Sequence, residues 1–257
     1  MIEESKMNRK RQIQKRHNLQ QKKKNELLQI FKDKTILSFG FNCFPKIFLR
    51  QIQKEQETHF FDWMGSSMWS IRYLFENNFE SIFDKQQIQY KHIMNLGNQY
   101  IWTHQKYYLR YLHDFQQTHQ KETNPIQEKE WNDFFEKYQR RKDRFLYTLQ
   151  NSKNILFFRF EEEKKGRIHY DEYNEFVKEN ELEELNLLLK HLQQKYPQLV
   201  YKVIFLQKFV FGEPELYEKN NNILILRKKK EVPNFEYKVP PIIDIFYENK
   251  DFILKNI

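Results

Sequence analysis

Residues 35–45 read TILSFGFNCFP, a short apolar run that is stopped by Gly40 and followed by Pro45. A run of β-branched and apolar residues that ends at a glycine is typical of a buried strand. Proline suits the first turn of a helix, because the N–H that it lacks would have no partner there. The stretch therefore predicts a strand over Thr35–Phe39, a tight turn, and a helix that begins near Pro45.

Strands and helices alternate along the rest of the chain. Apolar residues at helical spacing predict further helices at Met68–Phe83, Glu128–Gln150 and Tyr173–Tyr196. Short apolar runs predict buried strands at Ile155–Phe160, Tyr201–Leu206 and Ile223–Leu226, and aromatic residues indicate short strands and loops over Gln86–His119. Because this alternation favours parallel pairing, we expect one α/β domain with a mainly parallel sheet flanked by helices.

The N-terminal segment is strongly basic. The chain of 257 residues carries a formal net charge of +9, and residues 1–30 hold nine Lys or Arg against three Glu. Apolar residues at helical spacing do not begin before Leu27. We therefore expect residues 1–33 to form a basic tail, partly helical or disordered, and residues 34–257 to form the α/β domain. Such a tail can contact nucleic acid or another acidic surface weakly; a solvated extension without a partner is the alternative.

Simple counts exclude several classes of protein. The chain has one cysteine, so it forms no internal disulfide and is no disulfide scaffold. Its charged N-terminus and the lack of any run near the roughly 18 apolar residues that span a membrane predict an intracellular, reducing, cytoplasmic location. The eight histidines show no metal-ligand spacing with the cysteine, and the five glycines form no phosphate-binding loop. We therefore expect neither a metal nor a cofactor.

Cys43 is the candidate centre of function. It follows the first predicted strand, and open α/β sheets bind ligands beyond the carboxyl ends of their strands. The free amides and the dipole at a helix N-terminus favour the thiolate, which is the nucleophilic form of cysteine. A small buried hydrophobic residue is the alternative, because free cysteines commonly fill that role.

Several short motifs occur in a fixed order around and beyond Cys43. They are LSFGFNC at residues 37–43, LR at 49–50, FDW at 61–63, NF at 78–79, LHDF at 112–115, and the arginines of RRKDRF at 140–145. In order and spacing, these motifs resemble an uncharacterised family described as papain-like cysteine peptidases, over a stretch from about Thr35 to Leu206. The chain has Phe39 where that family usually has Leu and Phe60 where it usually has Pro. Neither change removes a reactive group.

The resemblance implies that Cys43 is the nucleophile and that His113 is its general base. Such a pair needs a third group to orient the imidazole, and Asp62 and Asp114 are both candidates. We favour Asp62, because the side chains of adjacent residues such as His113 and Asp114 often diverge. Two further histidines are the next candidates for the base, His104 and His92.

Other polar residues are candidates for holding an oxyanion or the substrate. They are Asn42, Asp114 and Arg144, together with the backbone amides near Cys43. Structural roles compete with these assignments, since Asp62 can instead cap the helix that follows it. Arg140, Arg141 and Arg144 form a basic stripe on one predicted helix, and Arg159 lies near a strand end. These arginines can bind a phosphate or carboxylate, or they can form a salt-bridged face.

Three classes of function compete. The leading hypothesis is a peptidase-like hydrolase or acyl transferase, in which Cys43 attacks an acyl carbon of a peptide, acyl or glycan conjugate. The strand–turn–cysteine–helix start also resembles the first block of the SGNH-type hydrolases and of related glycan-modifying acyltransferases, with cysteine in place of serine. The third class is a non-catalytic interaction protein that uses the basic tail. A papain fold pairs a helical lobe with an antiparallel barrel, whereas the alternation here predicts a doubly wound sheet.

Overall fold

The computed structural model describes residues 2–40, 43–53, 57–93, 99–111, 113–115, 126–161, 180–229 and 242–257. Its helices are α1 (Ile2–Phe31), α2 (Phe44–Ile52), α3 (Met68–Glu76), α4 (Glu128–Asn151), α5 (Glu181–Lys195), α6 (Ile242–Glu248) and α7 (Lys250–Asn256). Its strands are β1 (Thr35–Ser38), β2 (Met64–Gly65), β3 (Ile88–Ile93), β4 (Gln99–His104), β5 (Arg110–Tyr111), β6 (Asn154–Phe160), β7 (Val200–Phe211), β8 (Glu215–Tyr217) and β9 (Asn220–Lys228).

A five-stranded sheet forms the centre of the molecule, in the order β1-β6-β7-β9-β8. β1 pairs with β6, β6 with β7, and β7 with β9, all in parallel, and β8 pairs antiparallel with β9 at one edge. β1 is the other edge strand, and its last residue, Ser38, lies beside Phe158 of β6. This mainly parallel sheet confirms the fold class that the alternation of strands and helices predicts.

Side chains of β6 alternate between two buried cores. Ile155 and Phe157 belong to a core that α3, α4 and α5 cover. Leu156, Phe158 and Phe160 belong to a core that α1, α2, α6 and α7 cover. Because successive side chains on a strand point to opposite faces, the two cores lie on opposite sides of the sheet. Helices therefore flank the sheet on both faces, as predicted.

A second, antiparallel sheet packs on the α3 side of the central sheet, in the order β2-β5-β4-β3. Its residues Met64, Ile88 and Tyr111 are part of the same buried core as α3. Tyr90 and Trp102 face each other across β3 and β4, with ring centroids 5.0 Å apart. Such cross-strand pairs stabilise a sheet, but the spacing of residues in the sequence does not identify the partners. The sequence therefore predicted only short strands and loops here.

Helix α3 ends sooner than the apolar spacing predicts. It stops at Glu76 instead of Phe83, and Asn78, Phe79 and Ser81 then adopt positive φ angles of 49°, 62° and 56°. Left-handed backbone conformations cannot continue a right-handed helix. Phe79 is nevertheless buried, so the apolar spacing identified a core residue although the predicted helix end was wrong.

Helix α1 has an exposed part and a packed part. Residues 7–19 are exposed, whereas Leu27 and Phe31 are fully buried in the core with α2, α6 and α7. Two ion pairs fasten the packed part to the C-terminal helices, Lys23 with Asp244 at 2.6 Å and Glu26 with Lys250 at 2.5 Å. The division of the chain into residues 1–33 and residues 34–257 stays a prediction.

A buried arginine joins the central sheet to the elements around its carboxyl edge. The guanidinium of Arg159 on β6 donates from Nε and Nη2 to the carboxylate of Glu181, at 3.0 and 2.5 Å. Its Nη1 donates to the carbonyl oxygens of Phe39 and Ser66, at 3.1 and 2.9 Å. Arg159 therefore forms a salt bridge and connects the end of β1, the start of α3 and the first residue of α5.

Deletion of residues 1–19 should lower the melting temperature by less than about 3 °C, because exposed residues contribute little to stability. Phe31→Ala should lower the unfolding free energy by about 3–5 kcal/mol, because it leaves a cavity where the buried phenyl ring packs. Ile13, which is 59% exposed on the same helix, provides a matched control in Ile13→Ala. Thermal melting of the full chain and the three variants measures these effects. A large drop for the deletion would contradict the prediction that residues 1–19 contribute little to stability.

Candidate active site around Cys43

Cys43 lies at the start of α2, just beyond the carboxyl end of β1. It is the N-cap residue of the helix, with φ −72° and ψ −15°, and Pro45 occupies the first turn. The N–H of Ile47 donates to its carbonyl oxygen at 3.0 Å, which closes that turn. The predicted strand before Cys43 and the predicted helix after it are therefore both present. Asn42, a candidate for the oxyanion site, lies outside the described residues, and its role stays a prediction.

Gly40, which follows β1, packs closely against the chain that follows α2. It has a φ of +72°, and a Cβ atom there would lie 2.7 Å from Ser66 Oγ and 2.9 Å from the carbonyl oxygen of Phe61. Its N–H donates to Ser38 Oγ at 2.9 Å. Both the backbone angle and the close approach require glycine.

The thiol of Cys43 is half-buried and has no ionised partner among the described residues. Burial raises the pKa of the Cys43 thiol, and this effect exceeds the lowering that a local backbone hydrogen bond provides. The group is therefore protonated at neutral pH in the resting structure. This outcome opposes the thiolate that the helix N-terminus was expected to favour, because desolvation penalises the charged form.

Asp62 is buried and forms an ion pair with Lys46 of α2. Lys46 Nζ lies 3.0 Å from Asp62 Oδ2, and it also donates to the carbonyl oxygen of Glu57 at 2.5 Å. The N–H of His59 donates to the same Asp62 oxygen at 2.7 Å. Burial raises the pKa of Asp62 and lowers the pKa of Lys46, and their mutual attraction opposes both shifts. Asp62 thus fastens its loop to α2 about one turn beyond Cys43.

Ser67, and not Asp62, caps helix α3. The Ser67 hydroxyl accepts a hydrogen bond from the N–H of Ser70 at 3.0 Å, which is the geometry of an N-cap. The capping role considered for Asp62 is therefore wrong. The carboxylate instead serves the contact between α2 and the loop that precedes β2.

His113 is exposed, and its ring lies edge-on to Trp63 with the centroids 6.2 Å apart. The Arg50 guanidinium lies over the same indole, 4.9 Å from the ring centroid. Among the described residues, no hydrogen bond, ion pair or ring contact joins any two of Cys43, Asp62 and His113. The catalytic roles that the family resemblance implies for these three residues therefore stay predictions.

Asp114 and Arg144 fasten loops to helix α4. Asp114 accepts hydrogen bonds from Lys137 Nζ at 2.5 Å and from the hydroxyl of Tyr138 at 2.8 Å. Arg144 donates to the carbonyl oxygen of Thr58 at 2.8 Å and pairs with the carboxylate of Glu57 at 3.1 Å. These contacts occupy both side chains, and their proposed part in binding an oxyanion or the substrate stays a prediction.

Sequence reasoning missed two polar residues beside Asp62. Lys46 is fully buried, although a lysine in the first turn of a helix usually reaches solvent. Its position three residues before the buried Leu49 places both on one helix face, and this spacing was the available signal. His59 is also buried, and burial together with the charges of Lys46 and Arg144 lowers its pKa to about 4. Its Nδ1 has no hydrogen-bond partner.

Of the two further candidate bases, only His104 has a side chain within the described residues. His104 is buried in β4, where Nε2 lies 3.1 Å from the carbonyl oxygen of Ser81, and burial lowers its pKa to about 4. The side chain of His92 lies outside the described residues. His104 therefore belongs to the antiparallel sheet, and no contact of its ring reaches Cys43 within the described ranges.

Within the part of the chain that the structure describes, no cluster of three His, Cys, Asp or Glu side chains could hold a metal ion. None of the described helices combines the length and apolar character needed to cross a membrane. A cleft lined by Thr35, Asn154 and Val200 lies at the amino ends of the parallel strands. That edge is opposite to the one that carries Cys43.

A family model described as "Putative papain-like cysteine peptidase (DUF1796)" matches residues 34–208. The chain belongs to this family. The matched region of the chain runs from the start of β1 into β7, and it includes Cys43, Asp62 and His113. No curated protein and no solved structure matches the chain. The sheet that carries Cys43 is mainly parallel, so the papain-like label does not describe the architecture of this member.

Removal of one member of the buried Lys46–Asp62 pair should be costly. Lys46→Met leaves the Asp62 carboxylate without its cation, and we expect a loss of about 3–5 kcal/mol in unfolding free energy. The double variant Lys46→Met with Asp62→Leu should lose clearly less than the sum of the single variants. Urea denaturation measures all of these free energies.

The exposed pair of Lys219 with Glu183 provides the matched control for this cycle. Lys219→Met should cost less than about 1 kcal/mol, because exposed ion pairs contribute little. Equal losses for Lys46→Met and Lys219→Met would show that the buried pair does not hold the loop to α2.

Proposed function

We propose that this protein is a cysteine-dependent hydrolase, peptidase-like in its chemistry, or an acyl transferase, with Cys43 as the nucleophile. The position of Cys43 carries the proposal: it is the N-cap of α2 at the carboxyl edge of a parallel sheet, with its thiol partly open to solvent. Ligands of α/β proteins bind at this edge, and a helix N-terminus supplies amides that can hold an oxyanion. Membership of the cysteine peptidase-like family supports the same assignment.

The reaction begins with transfer of the Cys43 proton to the imidazole of His113. The sulfur then bonds to the acyl carbon of the substrate, and the bond to the leaving amine or alkoxide breaks as that group takes the proton from the imidazole. The product of this half is a thioester on Cys43. Water resolves the thioester in a hydrolase, and a hydroxyl or amine acceptor resolves it in a transferase.

His113 has to approach Cys43 for this reaction to run. In the resting structure its ring has one described contact, with Trp63, so few interactions oppose its movement. Asp62 acts in the proposal as a positioning residue, because its bond to Lys46 holds the loop that carries Trp63. Substrate binding therefore has to bring the thiol and the imidazole together, which is a common feature of resting active sites.

A second candidate is an SGNH-like enzyme that acts on a glycan or on an acyl donor. The observation that favours it is the parallel sheet in which the cysteine follows the first strand, an arrangement unlike the antiparallel barrel of papain. The two candidates share Cys43 and differ in the substrate. Cleavage of peptide bonds supports the peptidase-like proposal, and release of acyl groups from glycan esters supports the second.

Single-turnover reaction with p-nitrophenyl acetate tests the role of Cys43. We expect one equivalent of nitrophenolate and one acetyl group on Cys43, located by mass spectrometry of the only cysteine-containing peptide. Cys43→Ala should abolish acetylation. His113→Gln should slow it by about 100-fold or more, because a general base contributes at least that much.

His17, exposed on α1, provides the matched histidine control, and His17→Gln should react at the wild-type rate. Acetylation that survives in Cys43→Ala would refute the proposed nucleophile. Inert Cys43 together with salt-sensitive binding of nucleic acid would support the interaction protein that uses the basic segment of α1.

A further inference from the structure

Arg50 on α2 and Arg141 on α4 have no carboxylate partner among the described residues, and each guanidinium lies over an aromatic ring. Arg50 is exposed, and its guanidinium lies over Trp63. The guanidinium of Arg141 lies 5.0 Å from the ring centroid of Tyr138, and its Nη1 is buried without a hydrogen-bond partner. Arg72, Arg144, Arg159 and Arg227, by contrast, all pair with carboxylates.

A continuous run of contacts connects Arg50 with Arg141. Arg50 stacks on Trp63, whose indole meets the ring of His113. The next residue, Asp114, accepts a hydrogen bond from the Tyr138 hydroxyl. The guanidinium of Arg141 lies over the Tyr138 ring. The residues at 113 and 114 therefore connect α2, which carries Arg50, with α4, which carries Arg141.

Three carboxylates near this run of contacts each pair with a cation other than Arg50 and Arg141. Asp62 pairs with Lys46, Asp114 with Lys137, and Glu57 with Arg144. The charges of Arg50 and Arg141 both reach Lys46 and add to the effect of burial in lowering its pKa. The charge of Arg141 also opposes the rise that burial causes in the pKa of Asp62, so both arginines add positive charge near the buried Lys46–Asp62 pair.

Stacking leaves the hydrogen-bonding edge of a guanidinium free for a ligand. A planar guanidinium binds carboxylate or phosphate oxygens through two parallel N–H donors, and a buried N–H without a partner costs free energy until it finds an acceptor. Arg50 follows Cys43 by seven residues, which corresponds to about 10 Å along α2. That separation suits one substrate that places an acyl carbon at Cys43 and an anionic group at the arginines.

We propose that Arg50 and Arg141 form a subsite for an anionic group, a carboxylate or a phosphate, on the substrate of Cys43. This inference rests on the proposed function and names the substrate class as acidic conjugates. The Trp63 and Tyr138 rings pack against the two guanidinium groups.

Calorimetric titration of the full chain with sodium malonate and with inorganic phosphate, at constant ionic strength set by chloride, tests the subsite. We expect saturable binding, and the probe that binds more tightly identifies the group as carboxylate or phosphate. Arg50→Gln and Arg141→Gln should each raise the dissociation constant about tenfold or more, because each removes charge-assisted hydrogen bonds. Arg140→Gln, which removes an exposed charge from the adjacent position on α4, should change it by less than about twofold.

Arg141→Lys keeps the charge but loses the two parallel N–H donors, so it should also weaken binding. It tests the same contact if Arg141→Gln fails to fold. The proposal is overturned if the wild-type chain binds neither probe, or if Arg140→Gln weakens binding as much as Arg141→Gln. Cys43→Ala should bind the probes as the wild-type chain does. If only the subsite is wrong, the probes do not bind as predicted while Cys43 still reacts with the ester. If only the nucleophile is wrong, the probes bind as predicted while Cys43 does not react.

Discussion

The salt bridge of Arg159 with Glu181 is the contact on which the geometry of the carboxyl edge depends. Removal of one member of a buried ion pair leaves an uncompensated charge, so the elements that bind the guanidinium keep a common position. Its Nη1 bonds the carbonyl oxygen of Phe39, immediately before Gly40, and that of Ser66, immediately before the cap of α3. These two hydrogen bonds therefore hold the residue before Gly40 and the residue before the α3 cap in place, and Gly40 packs closely beside Ser66.

Beyond the salt bridge of Arg159, burial affects the Lys46–Asp62 ion pair and the Cys43 thiol differently. The buried pair of Lys46 with Asp62 anchors the loop before β2, and this loop brings Trp63 to the surface beside α2. Cys43, which has no such partner, stays a neutral thiol because burial penalises the thiolate. In our account the Cys43 thiol is therefore unreactive in the resting structure, and reaction requires the imidazole of His113 to approach it when substrate binds.

The sequence predicted the parts of this arrangement that local patterns determine. The run from Thr35 to Pro45 predicts β1, the turn and α2, because strand period, glycine and proline each act within a few residues. The antiparallel sheet was missed as a sheet, since pairs such as Tyr90 with Trp102 depend on register across strands. The partner of Asp62 was missed for a similar reason: no local rule connects a carboxylate to a lysine on the preceding helix. The resemblance to a family identified candidate residues, but it could not reveal that Asp62 pairs with Lys46 and that the His113 ring contacts Trp63.

The protonation state of Cys43 in the free protein tests the account most directly. Selective ¹³C labelling of the one cysteine allows its Cβ chemical shift to be followed by NMR as the pH is raised. The account predicts a thiol at neutral pH that titrates above the ordinary range for cysteine, because burial is the largest influence on the group. A thiolate already formed at neutral pH in the free protein would contradict it, because a base or the α2 N-terminus would then outweigh burial in the resting site.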